Sequence, residues 1–78
     1  MFQIFVKTIN GKTITIDIEK NLTVLEFKKK ILDKEGLPIR LQFLSFSSKT
    51  LGIDSKTLED YNINKESTIH LGIKFTTK

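Results

Sequence analysis

Two short segments with alternating apolar positions face each other across Asn10-Gly11, and this constrains the fold more than any other feature of the chain. In the first, Phe2, Ile4 and Val6 alternate with Gln3, Phe5 and Lys7. In the second, Ile14, Ile16 and Ile18 alternate with Thr13, Thr15, Asp17 and Glu19. A period of two puts each apolar set on one side of a strand, so both segments read as strands with one buried face. Asn-Gly tolerates the positive φ of tight turns, so the two strands close as an antiparallel hairpin.

The period then changes. Thr23 is placed to cap a helix, and Glu26 three residues later completes a capping box. Leu22 before the cap and Phe27 after it form a hydrophobic staple. Val24, Phe27 and Ile31 recur at helical spacing, while Gly36 and Pro38 supply a stop, which predicts a helix over 24–35. Lys28, Lys29 and Lys30 stand about 100° apart in such a helix and read as a solvated face, not a nucleic-acid stripe.

Beyond Pro38, residues 41–46 and 69–75 have strand character, the latter with Ile69, Leu71, Ile73 and Phe75 on one face. Residues 47–67 read mostly as turns, with Thr57 and Asp60 able to cap a short helical turn. Strand, strand, helix, strand, strand implies an α+β domain whose helix packs across one face of a mixed sheet.

At 78 residues the chain has room for one domain, and residues 1–78 are expected to form it. The absence of cysteine excludes disulfide frameworks and thiolate metal sites, and the lone His70 cannot build a metal cage. Nowhere does an apolar run approach the roughly 18 residues a membrane span needs, so a cytoplasmic or nuclear setting is expected, with no membrane partner. Thirteen basic against nine acidic side chains give a net charge of +4, compatible with nucleic acid or with acidic proteins. The aromatic residues mostly fall on predicted core positions instead of forming a stacking platform, which argues against nucleic acid.

Catalytic chemistry finds no support in the residue pattern. Ser67, His70 and Asp60 carry the letters of a hydrolytic triad, but no nucleophile elbow surrounds the serine, and His70 stands between two inward positions. The four glycines fit no phosphate-binding spacing, and the acidic pairs lie outside any metal-loop pattern. The chain reads as a non-enzyme with no cofactor and no metal.

Six blocks of sequence then resemble the ubiquitin family over residues 3–74. They are Gln3-Ile4-Phe5-Val6-Lys7-Thr8, Gly11-Lys12-Thr13-Ile14-Thr15, Asp33-Lys34-Glu35-Gly36, Asp60-Tyr61-Asn62-Ile63, Lys65-Glu66-Ser67-Thr68 and His70-Leu71. The resemblance implies the β-grasp fold, a five-stranded mixed sheet packed on one helix, and a role as a modifier or recognition surface. It matches the family's chain-linkage lysines to Lys7, Lys12, Lys28, Lys30, Lys34, Lys49 and Lys65. It matches the family's protein-binding faces to three groups: Ile9, Ser45, His70 and Gly72; Ile9, Leu37, Ile73 and Phe75; and Gln3, Phe5 and Thr13.

Two departures stand out against that pattern. Where the family carries a flexible Arg-Leu-Arg-Gly-Gly tail, this chain reads Lys74-Phe75-Thr76-Thr77-Lys78. The glycine pair passes through narrow enzyme channels that a Cβ obstructs, so Thr77 and Lys78 are expected to block activation and transfer. On the main binding face, Ser45 and Gly72 replace apolar anchors whose burial at an interface centre is worth about 1.5–3 kcal/mol each. Several positions that are polar or proline in the family are apolar here: Leu25, Leu32, Ile39, Leu41 and Phe43, with Ile53 in a one-residue insertion. Either Leu25 packs on Ile53, or that side carries a new contact surface.

The expected function is a monomeric, non-covalent protein-interaction module in ubiquitin or proteasome-type signalling, with ubiquitin receptors or proteasomal proteins as partners. The alternative is a covalent modifier whose di-glycine end is lost or missing.

Overall fold

The computed structural model describes residues 1–74. Strands β1 (Phe2–Lys7) and β2 (Thr13–Ile18) pair antiparallel from Phe2 opposite Ile18 to Lys7 opposite Thr13. Their connection is one residue wider than a two-residue turn. Thr8 N–H donates to Lys12 O at 2.8 Å and Gly11 N–H to Thr8 O at 3.0 Å. Gly11 alone takes positive φ (+83°), so the loop is a type I turn closed by a glycine bulge, and Asn10 stays outside the left-handed region.

Helix α1 runs Val24–Glu35, as its caps dictate. Glu26 N–H donates to Thr23 Oγ1 at 3.1 Å while Thr23 N–H donates to Glu26 Oε1 at 3.0 Å, the reciprocal capping box. At the other end Gly36, with φ +74°, donates its N–H to Leu32 O at 2.8 Å. Val24, Phe27 and Ile31 are fully buried.

After a single 3₁₀ turn at Ile39–Leu41 come β3 (Gln42–Phe46), β4 (Lys49–Thr50), a second 3₁₀ turn at Glu59–Tyr61 and β5 (Thr68–Ile73). The sheet order is β2-β1-β5-β3-β4. Among the described residues only β1 and β5 run parallel; the other pairs are antiparallel. This is the five-stranded mixed sheet on one helix of the β-grasp fold. β4 lies within the region the residue pattern assigned to turns. Two residues show no periodicity, and their pairing depends on Ser47 and Ser48, both at positive φ (53° and 69°), folding the chain back on Phe46. The expected cap at Thr57 is present: Thr57 N–H donates to Asp60 Oδ2 and Asp60 N–H to Thr57 Oγ1.

Ile4, Val6, Ile16, Ile18, Ile69 and Leu71 turn inward from the sheet onto α1. Leu51, Leu58 and Ile63 from the long connection close the base of the core and are buried to 2% or less. Gln42 is buried among them. Its Nε2 donates to Lys28 O at 2.9 Å and to Leu37 O at 3.0 Å, tying the start of β3 to the helix and the segment after it.

Candidate protein-interaction face

Strand alternation decides which β3 side chains reach solvent. Gln42 and Leu44 point inward and are buried, so Phe43 and Ser45 point out from the opposite side of the sheet. Register brings them their neighbours. Ser45 lies opposite His70 of β5, Phe43 opposite Gly72, and His70 opposite Lys7 of β1. Ser45, His70 and Gly72 therefore share one patch, as the resemblance implied.

Phe43 belongs to that patch as well, and the sequence reading did not place it there. A Cβ built on Gly72 lies 3.5 Å from Phe43 Cδ2, in ordinary van der Waals contact, so the aromatic ring rests over the bare glycine rung. Phe43 remains 41% exposed. Two-residue spacing from Ser45 was the available signal; the rung opposite Gly72 required the β3–β5 register. Within this patch the exposed apolar side chain is Phe43, one rung along the sheet from Ser45.

Ile9, the fourth member expected on this face, comes from the β1–β2 connection. It sits at the tip of the first hairpin, 64% exposed, and lines a groove of about 170 Å³ with Leu37, Leu71 and Ile73. Glu35 rims that groove, and Lys12 Nζ holds its Oε2 at 3.2 Å. Phe75, expected in the same patch, lies outside the described residues. The third expected group shares the outer face of the hairpin, where Gln3 opposes Asp17, Phe5 opposes Thr15 and Thr13 opposes Lys7. Phe5 is half-buried in a cleft with Met1, Phe2, Gln3, Lys65 and Glu66.

Among the lysines, Lys7, Lys12, Lys34, Lys49 and Lys65 are exposed and Lys30 is intermediate. Lys28 corrects the reading of a solvated lysine face. It follows Val24 by four residues and precedes Ile31 by three, so it falls on the core stripe and is 7% exposed. Its ammonium meets Asp54 Oδ1 at 3.0 Å.

The residues with hydrolytic letters serve the turns. Asp60 caps Thr57, and Ser67 Oγ accepts from Asn64 N–H at 2.9 Å. No cluster of three potential metal ligands occurs among the described residues, and no described helix is long and apolar enough to cross a membrane.

The comparisons agree with this architecture. The sequence profile of the ubiquitin family matches residues 4–76. Over 66 residues the chain is 40% identical to the ubiquitin-like protein NEDD8 of Dictyostelium discoideum, covering 85% of this chain and 84% of that one. Over 69 residues it is 38% identical to the NEDD8-like protein RUB3 of Arabidopsis thaliana, covering 88% and 87%. Similarity to the ubiquitin-like protein 4A of Rattus norvegicus is 35% over 72 residues, covering 92% of this chain but 45% of the relative. The strand order, the capped helix and these matches converge: the chain belongs to the ubiquitin family.

Proposed function

We propose that this ubiquitin-like module recognises proteins non-covalently, through the outer face of β5 and β3, and is not conjugated through its own C-terminal residues. The observation that carries the reading is the make-up of this face: Phe43 lies over Gly72, beside Ser45 opposite His70. A half-exposed aromatic on this sheet, with the Lys7 cation on the same face opposite His70, suits a partner offering an apolar anchor and acidic groups. Thr77 and Lys78, at the positions of the family's glycine pair, support the absence of transfer. The module is read as a monomer without enzymatic activity, acting in ubiquitin or proteasome-type signalling in the cytoplasm or nucleus.

Two-dimensional NMR of the labelled protein, titrated separately with a ubiquitin-binding helix and with a proteasomal receptor domain, tests this reading. The receptor domain should shift resonances of Phe43, His70 and Gly72. The ubiquitin-binding helix should bind at least about tenfold more weakly than it binds ubiquitin, given the loss of the apolar side chain at Ser45. Equal affinity of the helix for both proteins, or no response of the face to the receptor domain, would overturn it.

A further inference from the structure

The helix carries an apolar flank that neither the core nor the sheet face uses. Leu25 and Leu32 are seven residues apart, which brings them within about 20° of one direction, about 10.5 Å apart along the axis. Both lie off the stripe of Val24, Phe27 and Ile31; Leu25 is half-buried and Leu32 is 37% exposed. The loop around Asp54 adds a third member. Leu25 N–H donates to Asp54 O at 3.1 Å and Lys28 Nζ holds Asp54 Oδ1, which fixes Ile53 next to the first turn of α1 with half its surface (50%) exposed. Leu25 and Leu32 thus share one flank of the helix, with exposed Ile53 in the loop anchored at its first turn, on the side of the sheet opposite Phe43 and His70.

The charge around this flank is one-sided. Lys29 stands between the two leucines on their exposed side, and Arg40 belongs to the 3₁₀ turn that packs against the helix. Both are exposed, and neither forms an ion pair among the described residues. The nearby acids are committed elsewhere: Asp54 to Lys28, Glu35 to Lys12, and Glu26 to the cap at Thr23. Asp33 turns away into the polar depression between α1 and β2, with Lys30 and Asp17. A second copy of the chain would bring Lys29 against Lys29 between molecules each carrying +4, which disfavours self-association.

We propose that this flank docks an amphipathic helix of a partner protein whose apolar face is bordered by acidic residues. Leucines two turns apart offer the ridge that a partner's i, i+3/i+4, i+7 anchors straddle, and Lys29 and Arg40 meet its acidic border.

The probe is a synthetic amphipathic peptide of about five turns, with leucines on one face and glutamates along its borders. A scrambled peptide of the same composition is the control. Added to the labelled full chain, the amphipathic peptide should shift Leu25, Lys29, Leu32 and Ile53, and the scrambled peptide should not. Leu32→Gln and Lys29→Glu change exposed side chains, and each should weaken binding by about tenfold with the rest of the spectrum unchanged. Equal responses to both peptides, shifts centred on Phe43 and His70, or unchanged affinity in both variants would overturn the proposal. So would sedimentation showing a dimer that Leu32→Gln abolishes, since a second copy would then occupy the flank.

Discussion

Lys28 and Asp54 form a pair whose two members are not equivalent. The lysine side chain is 9% exposed and the aspartate 48%, so removing one partner leaves very different remainders. Lys28→Met frees a carboxylate that water can reach, while the methionine keeps the buried stem; the expected cost is below about 1 kcal/mol. Asp54→Ala strands a buried ammonium and should cost about 2–4 kcal/mol. Chemical denaturation of both variants checks the order, and a costlier Lys28→Met would contradict it. Lys28 also shows how far residue types can be read from sequence. Its place four residues after Val24 was visible, but its partner was not, because Asp54 comes from a loop with no periodic signal. Gln42 was hidden for a similar reason: its bonds to Lys28 O and Leu37 O depend on where β3 meets the helix. Gln42→Leu removes these two bonds but also the buried Gln42 Oε1, which has no partner among the described residues, and should cost about 1 kcal/mol or less, measured the same way.

Local signals define the elements well when their partners are near in sequence. The capping box, the Gly36 stop and the apolar stripe all lie within residues 23–36, so both ends of α1 were legible. Glu26 accepts from the Thr23 N–H, and the Thr23 hydroxyl adds to the effect; together they hold its carboxyl below the ordinary glutamate value. A depressed folded-state pKa means this contribution is complete above the ordinary value and is lost as pH falls through the lowered one. The Thr23 amide resonance should therefore titrate with a midpoint below that of glutamate in the unfolded chain, and Glu26→Gln should remove the step. A midpoint at or above the unfolded value would contradict the assignment. A turn at Ser47-Ser48 fell within the segment that reads as turns, but the hairpin it closes did not, since both residues sit at positive φ without glycine or asparagine to announce it. Ser47→Asn with Ser48→Gly supplies the residues this turn favours and should stabilise the fold by about 0.5–1 kcal/mol. An unchanged denaturation midpoint would mean that the serines bear no strain.

For the molecule as a whole, the parallel pairing of β1 with β5 sets Val6 beside Ile69, a contact no local pattern encodes. The element order and the family resemblance supplied the topology; the register supplied the face. Ser45, His70 and Gly72 were legible as neighbours through the resemblance. Phe43, the exposed apolar side chain of the patch, emerged only once β3 and β5 were aligned. In the function proposed above, this ubiquitin-family chain recognises partners without being transferred to them. The direct measurement is thioester formation with a ubiquitin-activating enzyme and ATP, resolved on a non-reducing gel beside ubiquitin. Ubiquitin should give a thioester band and this protein none; a reducible band carrying this chain would overturn the proposal and favour a covalent modifier.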